Sequence, residues 1–179
     1  MRAIAAVTLL LLSSATISKD YDRNLYGRWI DFDKDCQNTR QEVLIAESLA
    51  PVTLDTKKCK VLTGLWYDPF TGKEFTSPTK LDIDHFVPLK EVHLSGGGNW
   101  SSDKRKEYAN DIDYPYTLIA VSLSANRSKG ARDPANWMPP NKSFHCDYIR
   151  TWVAIKARWD LSIDKKEQAK IDEVLNTCN

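Results

Sequence analysis

Between Cys146 and Cys178 the chain spells out a helical hairpin. Tyr148, Trp152, Ile155 and Trp159 recur at steps of four, three and four residues, which places them on one face of a helix. Asp164 and Glu167 then have the spacing of a capping box, and Ile171, Val174, Leu175 and Cys178 line one face of a second helix. Two helices of about fifteen residues, each ~22 Å long, joined by a short turn, pack antiparallel. Cys146 opens the first and Cys178 closes the second, so the hairpin predicts the pair Cys146–Cys178. Cys36 and Cys59 are left to each other by elimination. Four cysteines without a CxxC spacing suit two disulfides in an exported chain better than a structural zinc.

The first residues agree with export. MRAIAAVTLLLLSSATIS has one Arg, an apolar run from Ala3 to Leu12 and then small residues, the layout of a secretory signal peptide. The expectation is a signal segment over residues 1–18 and one α+β domain over 19–179, secreted and extracellular, with no membrane and no protein partner. Basic and acidic residues number 25 and 24, so net charge argues for no polyanionic partner. Their distribution is uneven. Residues 121–158 hold Arg127, Lys129, Arg132, Lys142, Arg150, Lys156 and Arg158 against only Asp133 and Asp147, a surface suited to phosphate.

The remaining elements follow from local pattern. NTRQEVLIAESLAP reads as a helix with a Thr39/Glu42 capping box, ended by Pro51. CKVLTGLWYDPFTGKEF reads as two strands about the turn DPFTG, and LDIDHFV and YTLIAV as further strands. PLKEVHL, SDKRKEYAND and SLSANRSKG read as short helices, the last stopped by Gly130. Trp152 and Trp159 belong to the core, and Trp137 packs its Pro-rich loop onto the domain. His93 is read as a partly exposed surface residue, and His145 as local structure.

Within LDIDHFVPL, Asp84 and His85 occupy adjacent strand positions and therefore opposite faces. Asp84 offers oxygen to a hard divalent cation. His85 can take a proton from water near neutral pH. Asn126, in the short helix after the next strand, offers a second oxygen, with Arg127 and Lys129 beside it. This set suits hydrolysis of a phosphodiester, although an Asp–His pair alone is more often structural.

DIDHFVPL, followed by YANDIDYPYTLIAVSLSANRSKGARDPANWMPP and CDYIRTWVAIKARWDLSID, resembles the HNH (ββα-metal) endonucleases. More narrowly, the chain is similar to small secreted HNH-nuclease-like proteins related to the GmrSD nuclease domain, and WIDFDKDCQNTRQEVL and CKVLTGLWYDPFTG extend the likeness over the whole mature chain. The resemblance implies two strands and a helix around one divalent ion, embedded in the α+β domain. It implies Asp84 and Asn126 as metal ligands, with Mg²⁺ first and Mn²⁺ or Zn²⁺ as alternatives, and His85 as general base. Arg127, Lys129 and Arg132 become nucleic-acid contacts. The family places an Asn on the second strand to orient the base histidine. Thr117 stands at that position, so Thr117 is the implied orienting residue, with a backbone carbonyl or a water as the substitute.

The implied function is a secreted, sequence-nonspecific, divalent-metal-dependent endonuclease acting on DNA, with action on RNA left open. The alternative is a catalytically impaired nucleic-acid-binding protein or effector that keeps the fold.

Overall fold

The computed structural model describes residues 20–178, so the expected signal segment lies outside the described residues. Among the described residues, three two-stranded antiparallel sheets and six α-helices make up an α+β domain. In chain order they are α1 (Thr39–Ala46), β1 (Thr53–Leu54), β2 (Val61–Thr63), β3 (Trp66–Asp68), β4 (Lys73–Phe75), β5 (Leu81–His85), α2 (Leu89–Leu94), α3 (Ser102–Ala109), β6 (Leu118–Ser122), α4 (Leu123–Lys129), α5 (His145–Arg158) and α6 (Lys165–Leu175). Among these, no helix is long and apolar enough to cross a membrane.

The β5–β6 pair organises the molecule. Its register runs from Leu81 opposite Ser122 to His85 opposite Leu118, and the alternation of side chains gives it two different faces. Leu81, Ile83, Leu118 and Ala120 face α1 and join Val43, Leu44, Val61 and Trp66 in one apolar cluster. Ile119 and Val121 face the other way, into the larger core around Phe70, Phe86, Tyr108, Tyr148 and Trp152. Asp82 and Asp84 share that second face, opposite Val121 and Ile119. Helix α4 starts immediately after β6 with the Ser122 hydroxyl as its cap, and it packs across both strands. This is the expected two-strand-and-helix unit. The connection from β5 to β6 carries α2 and α3.

The C-terminal hairpin forms as its pattern requires. Tyr148, Trp152 and Ile155 are fully buried on α5, and Asp164 caps α6 in a capping box closed by Glu167. The disulfides are Cys146–Cys178 and Cys36–Cys59. Lys156, on α5, is buried, and its ammonium lies 2.7 Å from Glu91 on α2, 2.7 Å from Glu167 on α6 and 2.9 Å from the Ser162 carbonyl. A buried ammonium requires this degree of pairing, and the result ties the hairpin to α2.

Three local expectations change. CKVLTGLWYDPFTGKEF holds three strands rather than two: β3 and β4 pair about DPFTG, while β2 ends at Thr63 and pairs with β1. The cap of α1 is Asn38, whose side chain accepts from the Gln41 N–H, so Thr39 is the first helical residue and Glu42 does not close a capping box. His93 is 1% exposed, against the expected surface position, because α2 turns it inward against Tyr21 and Tyr26.

Candidate active site

Asp84, His85 and Asn126 line one cleft of about 310 Å³, with Arg23, Lys90 and Gly130 around them. The strand end delivers the first two and α4 the third. A larger hollow of about 590 Å³, bordered by Glu47, Leu49, Tyr67 and Tyr116, lies elsewhere and brings no such set together.

His85 is held on three sides. Its ring stacks on Trp29, with centroids 5.3 Å apart and planes 12° from parallel, and Tyr108 lies on it at 6.1 Å and 22°. Its Nε2 is 3.0 Å from the backbone carbonyl of Ala109. A carbonyl can only accept, so Nε2 carries the proton and Nδ1 keeps its lone pair. Burial pushes the imidazole down to about 3; the Ala109 contact opposes this, and the charges of Arg23 and Lys129 add to it. The ring is therefore neutral at physiological pH, with Nδ1 as its basic atom.

The acid side of the cleft is arranged by α4. Lys129 Nζ is 2.6 Å from Asp84 Oδ2 and donates to the His85 carbonyl at 2.9 Å, with the lysine 0% exposed. Burial pushes the Asp84 carboxyl up and the Lys129 ammonium down, and their mutual attraction opposes both shifts. The Asn126 amide nitrogen donates to Asp82 Oδ2 at 3.0 Å, which leaves its carbonyl oxygen as the atom available to a cation. Asp84 Oδ1 and Asn126 Oδ1 are both hard oxygen donors on one cleft. That donor set fits a hard divalent ion that fills its other positions with water and substrate oxygen.

Thr117 is buried, and its hydroxyl donates to Asp111 Oδ2 at 3.0 Å. The structure does not bring it to His85; the Ala109 carbonyl occupies that role. Nor does it bring Lys129 to the surface, because the lysine's charge is spent on Asp84. Arg127 and Arg132 are exposed near the same helix. Sequence reasoning missed Arg23 and Lys90, exposed cations on the cleft that come from outside the basic stretch. It also missed Trp29 and Ala109. A backbone carbonyl has no residue-type signal, and Trp29 has no helical or strand period to place it.

Residues 37–174 match the family described as GmrSD restriction endonucleases, C-terminal domain. The chain belongs to that family. An uncharacterized secreted protein of Arthroderma benhamiae is 35% identical to it over 97% of this chain and 86% of its own length. No solved structure matches the chain. Membership of the GmrSD C-terminal family suggests a nuclease.

Proposed function

We propose that the protein is a secreted, divalent-metal-dependent endonuclease that hydrolyses phosphodiester bonds in DNA and, as a second substrate, RNA. The observation that carries the reading is the neutral His85, locked between Trp29 and Tyr108 with its Nε2 proton on Ala109, in one cleft with Asp84 and Asn126. Nδ1 of His85 takes a proton from the attacking water, and a preset tautomer makes that transfer productive. The water oxygen bonds to phosphorus as the bond to the 3′ oxygen breaks; that oxygen leaves with the electron pair and takes a proton from solvent, giving a 5′-phosphate and a 3′-hydroxyl. Asp84 Oδ1 and Asn126 Oδ1 would hold the metal, whose chemistry when bound is to stabilise charge on the phosphoryl and leaving oxygens. Oxygen donors favour Mg²⁺ or Mn²⁺ over Zn²⁺. Arg23, Lys90, Arg127 and Arg132 offer contacts to phosphate that carry no base sequence. Two disulfides fit an extracellular protein, as does the secreted relative.

The test is digestion of plasmid DNA and of RNA with Mg²⁺, Mn²⁺, Zn²⁺ or EDTA, beside His85→Ala. Cleavage that needs metal and His85 supports the enzyme. Binding without cleavage in any metal supports instead a nucleic-acid-binding protein that has kept the fold.

A further inference from the structure

The segment Asp31–Glu42, which begins two residues after Trp29, holds a second group of oxygen donors. Asp31, Asp33 and Asp35 place a carboxylate oxygen each within 4.8 Å of one another. Acidic residues at a surface gather for many reasons, and the cluster alone argues for nothing. The decisive feature is two atoms that have no partner. Asp31 Oδ1 and Glu42 Oε2 are closed off from solvent, and neither has a hydrogen bond. A carboxylate oxygen that has lost its water and gained nothing is costly. Glu42 comes from the first turn of α1, not from the acidic loop.

The spacing fits one ligand class. Calcium loops of twelve residues draw oxygen from positions one, three, five, seven and twelve, with the seventh giving a backbone carbonyl and the twelfth a Glu from the following helix. Counted from Asp31, these are Asp31, Asp33, Asp35, Gln37 and Glu42. Position six is normally Gly, because the chain must turn sharply there. Cys36 holds that position with φ +75°, a left-handed conformation that favours glycine. Its disulfide to Cys59 anchors the turn from outside. A cysteine in place of the glycine hides the pattern from the sequence.

We propose that Asp31, Asp33, Asp35, the Gln37 carbonyl and Glu42 form a Ca²⁺ site separate from the β5–α4 cleft. The site is structural, and it supports the base histidine through two short paths. Trp29, two residues before Asp31, is the ring stacked on His85. Ile30 donates its N–H to Asn110 Oδ1 at 3.0 Å, and the Thr39 hydroxyl of the same loop lies 2.7 Å from that oxygen. Asn110 follows Ala109, whose carbonyl holds the His85 proton. Filling the loop with an ion fixes both the stacking ring and the accepting carbonyl.

The test is calorimetric titration of the metal-stripped full-length protein with Ca²⁺, paired with thermal melts. The Asp84→Asn variant serves as background to silence the cleft. We expect one Ca²⁺ bound with a dissociation constant on the order of 10⁻⁴–10⁻³ M or tighter. At ten times that constant the melting temperature rises by about 3–6 °C. Glu42→Gln and Asp31→Asn each weaken binding at least about tenfold in the same background. Retained affinity in both variants, or no Ca²⁺ binding by the parent protein up to about 10 mM, overturns the proposal. Should the loop variants fail to fold, Tb³⁺ emission sensitised by tryptophan in the Asp84→Asn protein decides it. Emission that Ca²⁺ competes away, and that Mg²⁺ leaves in place, supports the site; its absence overturns it.

Discussion

The imidazole of His85 lies flat against the indole of Trp29, 5.3 Å between centroids and 12° from parallel. The stack restrains the ring plane, while the Ala109 carbonyl fixes which nitrogen bears the proton. Orientation and tautomer are thus set by two different parts of the chain, neither of them β5. His85→Ala should reduce DNA cleavage by roughly 10²–10⁴-fold, the scale of a general base. Trp29→Leu keeps the base but releases its plane, so it should lower kcat more than it changes KM. Steady-state kinetics on both variants, with circular dichroism to verify the fold, checks this pair. Full activity in a folded His85→Ala protein removes the histidine from the mechanism.

Lys129 carries a stability prediction. Lys129→Met leaves the Asp84 carboxylate buried without its cation, with Asp82 and Asp68 nearby to disfavour its charge. Breaking one side of a buried pair costs about 3–5 kcal/mol. Adding Asp84→Asn to the same protein removes the stranded charge and should restore a large part of that loss. Urea unfolding of wild type, both single variants and the double variant measures the coupling. A loss below about 1 kcal/mol for Lys129→Met, the level of an exposed pair, would show that the contact is screened.

Thr117→Asn should bring no gain in turnover, because the partner of His85 is already the Ala109 carbonyl. Thr117 is fully enclosed and bonded to Asp111. A longer carboxamide overpacks that space, at a cost of about 1–3 kcal/mol. Matched kinetics and melts separate the two effects. Faster turnover at unchanged stability would mean that the carboxamide reaches His85 after all.

Glu47 supplies a pH dependence. Burial pushes its carboxyl up to about 7, against the pull of the Ala120 N–H that it accepts at 2.7 Å. The folded value exceeds the unfolded one, near 4.3 for a free Glu. The native state therefore favours the protonated form. The stability this gives is complete below the unfolded value and is lost as pH rises through about 7. Glu47→Gln, which stays neutral, should gain on wild type between about pH 5 and pH 7 and level off above that. Urea midpoints of the two proteins at each pH give the difference directly, and a constant difference would contradict the raised carboxyl.

Legibility in the sequence followed the range of the interactions. The C-terminal hairpin and its disulfide could be read because Tyr148, Trp152, Ile155 and Trp159 repeat at the helix period, and because the cysteines stand at the two ends. The opposite facing of Asp84 and His85 could be read from strand alternation alone. Lys129 could not be placed, because in the sequence it is one basic residue in a basic stretch. Its burial follows from α4 docking on β5, a contact 45 residues apart in the chain. The cap of α1 fell one residue early for a similar reason: Thr39 is enclosed against Ile30 and Asn110, so Asn38 takes the helix end. Arg23 and Lys90 reach the cleft from segments that no local charge count connects with it.

The register of β5 against β6 also governs which hereditary changes this domain can survive. Residues between Phe86 and Thr117 can be inserted or deleted wherever α2, α3 and the Ala109 carbonyl keep their places, because the connection is not part of the ladder. One residue gained or lost within Leu81–His85 is different in kind. Strand side chains alternate, so such a slip exchanges every face. It would turn Asp84 away from α4 and towards Trp29, and send the histidine to Lys129. Length variation among descendants of this chain should therefore collect in the connection and be absent from the five-residue strand.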